Sequence, residues 1–281
     1  MLLRFLMMFL SLNSLACAGQ EDPPVEIICQ LESCDEGAET SQTAAEETPT
    51  SVTIPGPSTT NDALSGSIIT AEFDEGSQVF TLTALGLDTK LARFPTADFG
   101  AMLAMRDAAG VHNAYFAQGD GSKIIIYSGG LAGSVRNLAS FGRIGATELP
   151  LIGSAQFNGD YAGFTSTRRI NGRAQIDVDF KAATLGGRIT QRIFRQRPDN
   201  LVDVVNPLSM LVLEQTVLKT DGTFGGGQIV NGQELWNPAA GSFTGLVGGA
   251  SAGEVVGTVN VTHRTPSGGS FEEVGGFFAT R

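Results

Sequence analysis

The 281-residue sequence predicts an all-β protein that ends in an antiparallel up-and-down β-barrel of about eight strands, preceded by a smaller β-rich region and a disordered tether. Three observations predict the barrel. Residues 173–180 alternate apolar and polar side chains, as in an antiparallel sheet with one buried face. The 36 glycines, roughly twice the ordinary share, suit the bends of a small barrel wall. Asn-Gly or Asp-Gly pairs predict two-residue hairpin turns at residues 158–159, 171–172, 221–222 and 231–232.

Residues 1–16 are expected to be a secretory signal peptide. Arg4 supplies the positive charge, residues 5–12 are apolar, and the run is too short to cross a bilayer as a mature helix. The Leu-Ala-Cys ending resembles the lipobox of bacterial lipoproteins, in which the cysteine receives the lipid. We therefore expect Cys17 to be lipidated and the protein to be held by lipid in the outer membrane, at the cell surface. The alternative is ordinary cleavage after Ala16 or Ala18, which gives a periplasmic or secreted soluble protein.

Residues 17–63 are expected to be an acidic, disordered linker. Residues 18–63 contain ten Asp and Glu and no Lys or Arg, so this stretch buries too little apolar surface to offset its ordering entropy. Residues 64–281 contain 17 Lys and Arg against 19 Asp and Glu, which places most of the net charge of −11 in the linker. This acidic balance argues against a nucleic-acid partner, because phosphate binding needs a basic surface.

The linker contains two cysteines besides the lipidation candidate. Cys29 and Cys34 can close a small disulfide loop in an oxidising compartment. A zinc site is disfavoured because neither a second cysteine pair nor a histidine pair accompanies them in the sequence. We expect no metal and no cofactor.

Residues 64–148 contain short β-rich runs, at 79–84, 114–117 and 123–128, separated by Gly and Asp. Residues 98–109 and 131–141 are the candidates for helix. In the second half, residues 173–180 and 254–263 each predict a strand with one face in the barrel core and the other in solvent.

Several motifs in residues 149–281 resemble the β-barrel domain of the transferrin-binding protein B family. Residues 149–163, LPLIGSAQFNGDYAG, are similar to the entry strand of that domain, and residues 172–190, GRAQIDVDFKAATLGGRIT, to one of its hairpins. Residues 241–261, GSFTGLVGGASAGEVVGTVNV, and 272–281, EEVGGFFATR, are similar to its closing strands. The resemblance covers about 130 residues and implies a Gram-negative surface lipoprotein with an anchor, a tether, a handle-like region (64–148) and a barrel domain (149–281).

A basic cluster lies between Arg168 and Arg197, with eight Lys and Arg against two Asp. It predicts either an anion-binding patch or a solvated sheet face neutralised across strands. With a turn centred between residues 183 and 184, Asp179 would lie opposite Arg188 and Gln175 opposite Arg192, all outside the barrel. The candidate patch consists of Arg168, Arg169, Arg188, Arg192, Arg195 and Arg197.

No catalytic constellation is evident in the sequence, and we expect a protein that is not an enzyme. Residues 249–253 match G-x-S-x-G, but a strand rather than a helix is expected to follow. His112 is expected in a loop or strand and His263 at the barrel rim. The favoured function is a surface-exposed binding module for a protein or an anionic ligand. The alternatives are a structural envelope lipoprotein without a dedicated ligand and a secreted soluble barrel.

Overall fold

The computed structural model describes one compact unit, Glu47–Arg281, and within it residues 51–54, 58–60, 68–84, 87–131, 134–196, 206–231, 238–265 and 268–281. Most of these residues are in β-strands, and the helical segments among them are the single-turn 3-10 segments Pro95–Ala97 and Ala250–Ala252. The all-β prediction is confirmed. In the part of the chain that the structure describes, we find no helix long and apolar enough to span a membrane. Cys17, Cys29 and Cys34 lie outside the described residues.

In the described part of the chain, ten strands precede the barrel. Eight of them form one antiparallel sheet, here called the handle sheet, in the order β2-β9-β8-β7-β6-β5-β4-β3, while β1 pairs with β10. The strands are β1 (Ser51–Ile54), β2 (Ser58–Thr60), β3 (Ile68–Asp74), β4 (Val79–Ala84), β5 (Leu87–Arg93), β6 (Leu103–Arg106), β7 (Asn113–Gln118), β8 (Ser122–Leu131), β9 (Ser134–Arg143) and β10 (Thr147–Pro150). β1 and β2 lie within the stretch assigned to the linker, so strand pairing begins before residue 64.

The two helix candidates were wrong. Residues 98–109 contain β6, and residues 131–141 contain most of β9. The reason is burial on both faces of the handle sheet. Leu138 packs in the sheet's own core, with Phe80 and Phe116, whereas its neighbour Ala139 packs against the barrel. A strand buried on both faces loses its period-2 pattern and is hard to tell from a buried helix.

Eight strands close the barrel. Their order is β12-β11-β19-β18-β17-β16-β15-β13, and β13 pairs back onto β12, which confirms the predicted antiparallel barrel. A two-residue strand, β14, pairs with the end of β13. The strands are β11 (Ser154–Phe164), β12 (Arg168–Asp179), β13 (Thr184–Gln196), β14 (Asn206–Pro207), β15 (Leu211–Val217), β16 (Thr223–Asn231), β17 (Pro238–Gly248), β18 (Glu254–Arg264) and β19 (Ser270–Thr280).

The predicted alternation is confirmed in β12 and half right in β18. In β12, Ala174, Ile176 and Val178 fill the barrel core while Asp177 and Asp179 are exposed. In β18, Val255, Val259 and Val261 also fill the core, but the opposite face is buried too, because the handle sheet covers it.

Of the four predicted hairpin turns, Asp221-Gly222 is a turn, with Gly222 at φ +74°. Residues 158–159 and 171–172 lie inside strands, and Gly232 is outside the described residues. Gly159 serves close strand packing, because a Cβ there would overlap the backbone of Phe278 on β19. The glycines at these positions permit wall curvature rather than chain reversal.

Candidate functional site: a polar groove on the outer wall of the barrel

The handle sheet covers one side of the barrel. Apolar side chains of the sheet, including Tyr115, Ile124 and Phe141, form a continuous core with outward side chains of β11, β17, β18 and β19. Those barrel side chains are Ala162, Phe164, Leu246, Val256, Val274 and Phe278. This apolar contact does not include the wall formed by β12, β13 and β15, which is therefore accessible to a ligand.

Buried polar contacts fix the sheet on the barrel. Glu254, at the start of β18, accepts hydrogen bonds from the backbone N–H of Asp120 at 2.7 Å and from the Ser122 hydroxyl at 2.6 Å. Arg143 of β9 donates to the carbonyl oxygens of Asp221 at 2.8 Å and Val247 at 3.1 Å. Because these charged groups are buried, losing their partners would leave costly unpaired groups. These contacts therefore hold the handle sheet in a fixed position on the barrel.

A second polar contact joins the segment before β6 to the barrel. Asp160 of β11 accepts a hydrogen bond from the backbone N–H of Ala101 at 2.7 Å and forms an ion pair with Arg173. The guanidinium of Arg173 lies 4.9 Å from the centre of the Phe99 ring, which is a cation–π distance. Asp160 thus links β12 to the handle region.

The uncovered wall contains a groove of about 790 Å³ that crosses β11, β12, β13 and β15. It lies where β13 and β15 slip in register, between residues 185 and 187 of β13. Gly186 and Gly187 occupy this slip, and a Cβ at Gly187 would overlap the backbone of Gln175. Since Gly186, which pairs with the exposed Asp177, puts no side chain on the outer face, the β13 backbone forms the floor of the groove at this point.

Polar side chains line the groove and pair with each other across strands. The side-chain amide of Gln156 donates to Asp177 at 2.8 Å, and Arg188 donates two hydrogen bonds to the side-chain oxygen Oε1 of Gln175, at 2.7 and 3.1 Å. These hydrogen bonds hold long side chains in defined positions. A ligand that binds them therefore loses less side-chain conformational entropy than it would on a mobile surface.

A smaller depression of about 430 Å³ continues the groove over β11 and β12. Gln175 lines both, and Asn158, Arg173 and Thr190 line the smaller one. Four adjacent strands span about 14 Å, at a spacing of about 4.8 Å between neighbours. The two depressions together can hold an extended chain, whereas a compact ligand would contact one of them.

The predicted anion patch is not one surface. Arg192 is 1% exposed inside the barrel and Arg169 is 8% exposed, whereas Arg188 points outward into the groove. Arg168 is half-buried over the Phe194 ring, and Arg195 is half-buried as well. Arg197 lies outside the described residues.

The predicted hairpin register was also wrong. Asp179 pairs with Thr184 and Gln175 pairs with Arg188, because the turn spans residues 180–183, with Ala183 at φ +51°. Gln191, at φ +49°, lies beside a bulge that places Arg188 and Arg192 on opposite faces of β13.

Inside the barrel, Arg192 belongs to a buried cluster that sequence reasoning missed. Its guanidinium is ion-paired with Glu273, and it also donates to the carbonyl oxygen of Ser209 at 2.6 Å. His263 Nε2 lies 2.6 Å from Glu273 Oε2, and the Tyr161 hydroxyl donates to Oε1 at 2.5 Å. His263 is therefore a core residue and not a rim residue.

The charges of this cluster perturb its titration. Burial by itself would raise the pKa of Glu273, but the Arg192 guanidinium and the His263 hydrogen bond outweigh it and lower the pKa to about 2. Burial, followed by the neighbouring Glu273 charge, raises the pKa of Tyr161 well above its usual value. Glu273 therefore stays ionised and Tyr161 stays neutral. Tyr161 and Arg192 lie 112 and 81 residues from Glu273, so no local sequence pattern could have indicated their contacts.

The structure also places His112 and the G-x-S-x-G segment, residues 249–253. His112 lies just before β7, with Nδ1 2.6 Å from the Tyr127 hydroxyl. The G-x-S-x-G segment is the turn between β17 and β18, with Ser251 at φ +52°. As expected, a strand follows it rather than a helix. Among the described residues, no group of three or more His, Cys, Asp or Glu side chains is placed to hold a metal ion.

Comparison with known proteins finds similarity to solved structures alone. No family model matches the chain, and no curated protein matches its sequence. Two mutants of transferrin-binding protein B from Haemophilus parasuis Hp5, a vaccine antigen, are 15% and 14% identical, with TM-scores of 0.43 and 0.44. Each match covers 81% of this chain and 44% of the other, so the chain spans less than half of their length. A protein of unknown function of the DUF3598 family from Nostoc punctiforme PCC 73102 is 12% identical, with a TM-score of 0.27, and the match covers 82% of this chain and 95% of that one.

Proposed function

We propose that the protein is a lipid-anchored module of the bacterial cell envelope that binds an extended, polar ligand along the groove on its barrel wall. The observation that supports binding most directly is the groove itself. It is open, crosses four strands, and presents side chains that are already ordered by cross-strand hydrogen bonds.

The sequence supports the proposed lipid anchor and the proposed location at the cell surface. The apolar run ends at Leu-Ala-Cys17, and an acidic stretch of 33 residues, 18–50, separates that cysteine from the first described strand. A sequence of this composition can act as a spacer between a membrane and a folded unit. The groove lies on the barrel wall away from the handle sheet, where a ligand would have access.

Site-specific photo-crosslinking in intact cells tests this function. A photo-reactive amino acid at Gln156, in the groove, should give a covalent adduct, and the same group at Gln118, exposed at the end of β7, should not. Protease added to intact cells should remove the folded part of the chain. Accessible protein that gives no adduct from the groove would overturn the binding function and leave the structural envelope lipoprotein.

A further inference from the structure

The groove carries more negative than positive charge, contrary to what the arginine-rich sequence suggested. Asp177, Asp179 and Glu214 line it, against one guanidinium, that of Arg188. Both hydrogen bonds from that guanidinium go to Gln175, within the wall. A ligand in the groove therefore meets a net negative surface, which attracts cations and repels anions.

The groove also offers hydrogen bonds of both kinds. The amide nitrogens of Gln156 and Gln215 donate within the wall, to Asp177 and to Thr184. The side-chain oxygen Oε1 of Gln175 accepts from Arg188. The side-chain oxygens of Gln156 and Gln215 can then accept hydrogen bonds from a ligand, and the side-chain nitrogen of Gln175 can donate to one. Alternating donors and acceptors match the N–H and C=O groups of a peptide, whereas a simple polyamine could use the acceptors alone.

One side of the groove is apolar. Met210 and Val212 line it, and Val212 pairs across β15 and β16 with Val230, which is 37% exposed. Lys and Arg side chains combine a cationic head with an apolar stem, and such stems pack well on a small apolar strip beside carboxylates. The width of about 14 Å fits four or five extended residues at about 3.3 Å each.

From these charges, amides and apolar contacts we infer that the groove binds an extended Lys- and Arg-rich segment of a partner protein. The inference rests on the proposed binding function and specifies its ligand class. The carboxylates hold the cationic heads, the glutamines bond the peptide backbone, and the apolar strip seats the side-chain stems.

Binding of a defined peptide to the full-length chain tests the inference. The probe is a fluorescent eight-residue peptide of alternating Lys and Ser, compared with peptides that have Glu or Gln in place of Lys. The acidic linker will also attract the basic peptide, so the comparison is made between variants that share the linker. Asp177→Asn with Glu214→Gln removes two groove charges, and Glu72→Gln with Glu272→Gln removes two exposed charges elsewhere.

The groove variant should bind the basic peptide about tenfold more weakly than the control variant, and the difference should shrink as salt is raised. Equal affinity of the two variants for the basic peptide would overturn the inference. Tighter binding of the Gln peptide, weakened by Gln175→Ala, would also overturn it while keeping the groove as a binding site. An absence of groove adducts in the crosslinking experiment is the separate result that removes the binding function itself.

Discussion

The ionised carboxylate of Glu273 holds together one end of the barrel interior. It neutralises Arg192, lies within hydrogen-bonding distance of His263 Nε2, and accepts a hydrogen bond from the Tyr161 hydroxyl. Through Arg192 it also holds the carbonyl of Ser209, in the segment between β14 and β15. A buried charge left without its partner costs about 3–5 kcal/mol, so each of these groups depends on the ionised state of Glu273.

Folding stability should fall in acid because of Glu273. Its pKa is about 2 in the folded protein, against 4.5 as the ordinary value, so the unfolded chain takes up the proton more readily. The stabilisation is complete above about pH 4.5 and disappears as the pH falls towards 2. Urea unfolding between pH 6 and pH 2.5 should show this slope.

Two variants distinguish the contribution of Glu273 to acid unfolding from that of the other carboxylates. Glu273→Gln should lower the free energy of unfolding by about 3 kcal/mol at pH 6 and flatten the acid slope, because it leaves Arg192 buried without a counter-charge. The neighbouring Glu272→Gln, exposed on the same strand, should change neither. An unchanged slope in Glu273→Gln would contradict the role of the cluster.

At the scale of elements, two turns from distant parts of the chain are packed backbone to backbone. The turn between β7 and β8 contains Gly121, and the turn between β17 and β18 contains Gly249. A Cβ at Gly121 would overlap the backbone of Gly249. The Glu254 carboxylate accepts hydrogen bonds from the backbone N–H groups of the same β7–β8 turn, so close backbone packing and buried hydrogen bonds meet at one point.

Replacing Gly121 by alanine should therefore destabilise the protein by about 1–3 kcal/mol, since backbone atoms must move to admit the methyl group. Gly130→Ala is the matched control. Gly130 is exposed in β8, and the nearest atom to its added Cβ is a side-chain carbon of Val111 at 3.3 Å. Thermal unfolding of the two variants should differ by several degrees, and equal melting temperatures would show that the turns are not tightly packed.

The elements also show how far the sequence could predict this protein. The strand alternation in β12 was readable because one face of that strand is buried and the other is solvated. The register of the next hairpin was not, because it depends on Ala183 and Gln191 in the left-handed region, which no residue type there favours. The groove depends on a register slip at Gly186, and the burial of Arg192 depends on Glu273, 81 residues away.

At the scale of the whole molecule, the first prediction is that Cys17 carries a lipid anchor. Metabolic labelling with a clickable fatty acid should mark the wild-type chain and not Cys17→Ser, because a lipoprotein cysteine is the acceptor of the lipid. The Cys17→Ser chain should also leave the membrane fraction. Equal labelling of both chains would contradict the anchor and the surface assignment that depends on it.

A chain of residues 149–281 should fold as a barrel on its own, with β-type circular dichroism and a cooperative melt. It should be less stable than the full chain, because removing the handle sheet exposes Phe164, Val256 and Phe278 and takes away the partners of Glu254. A disordered product would show instead that residues 64–148 are part of the same folding unit.

The pairing of β1 with β10 has a mechanical consequence for a chain held at its N-terminus. Ser51, the first residue of β1, lies beside Pro150, the residue that leads into the barrel. Tension between the anchor and the barrel therefore pulls adjacent ends of two antiparallel strands apart, and the hydrogen bonds break one after another rather than together. Peeling β1 lengthens the tether by about 14 Å while the closed barrel keeps its shape.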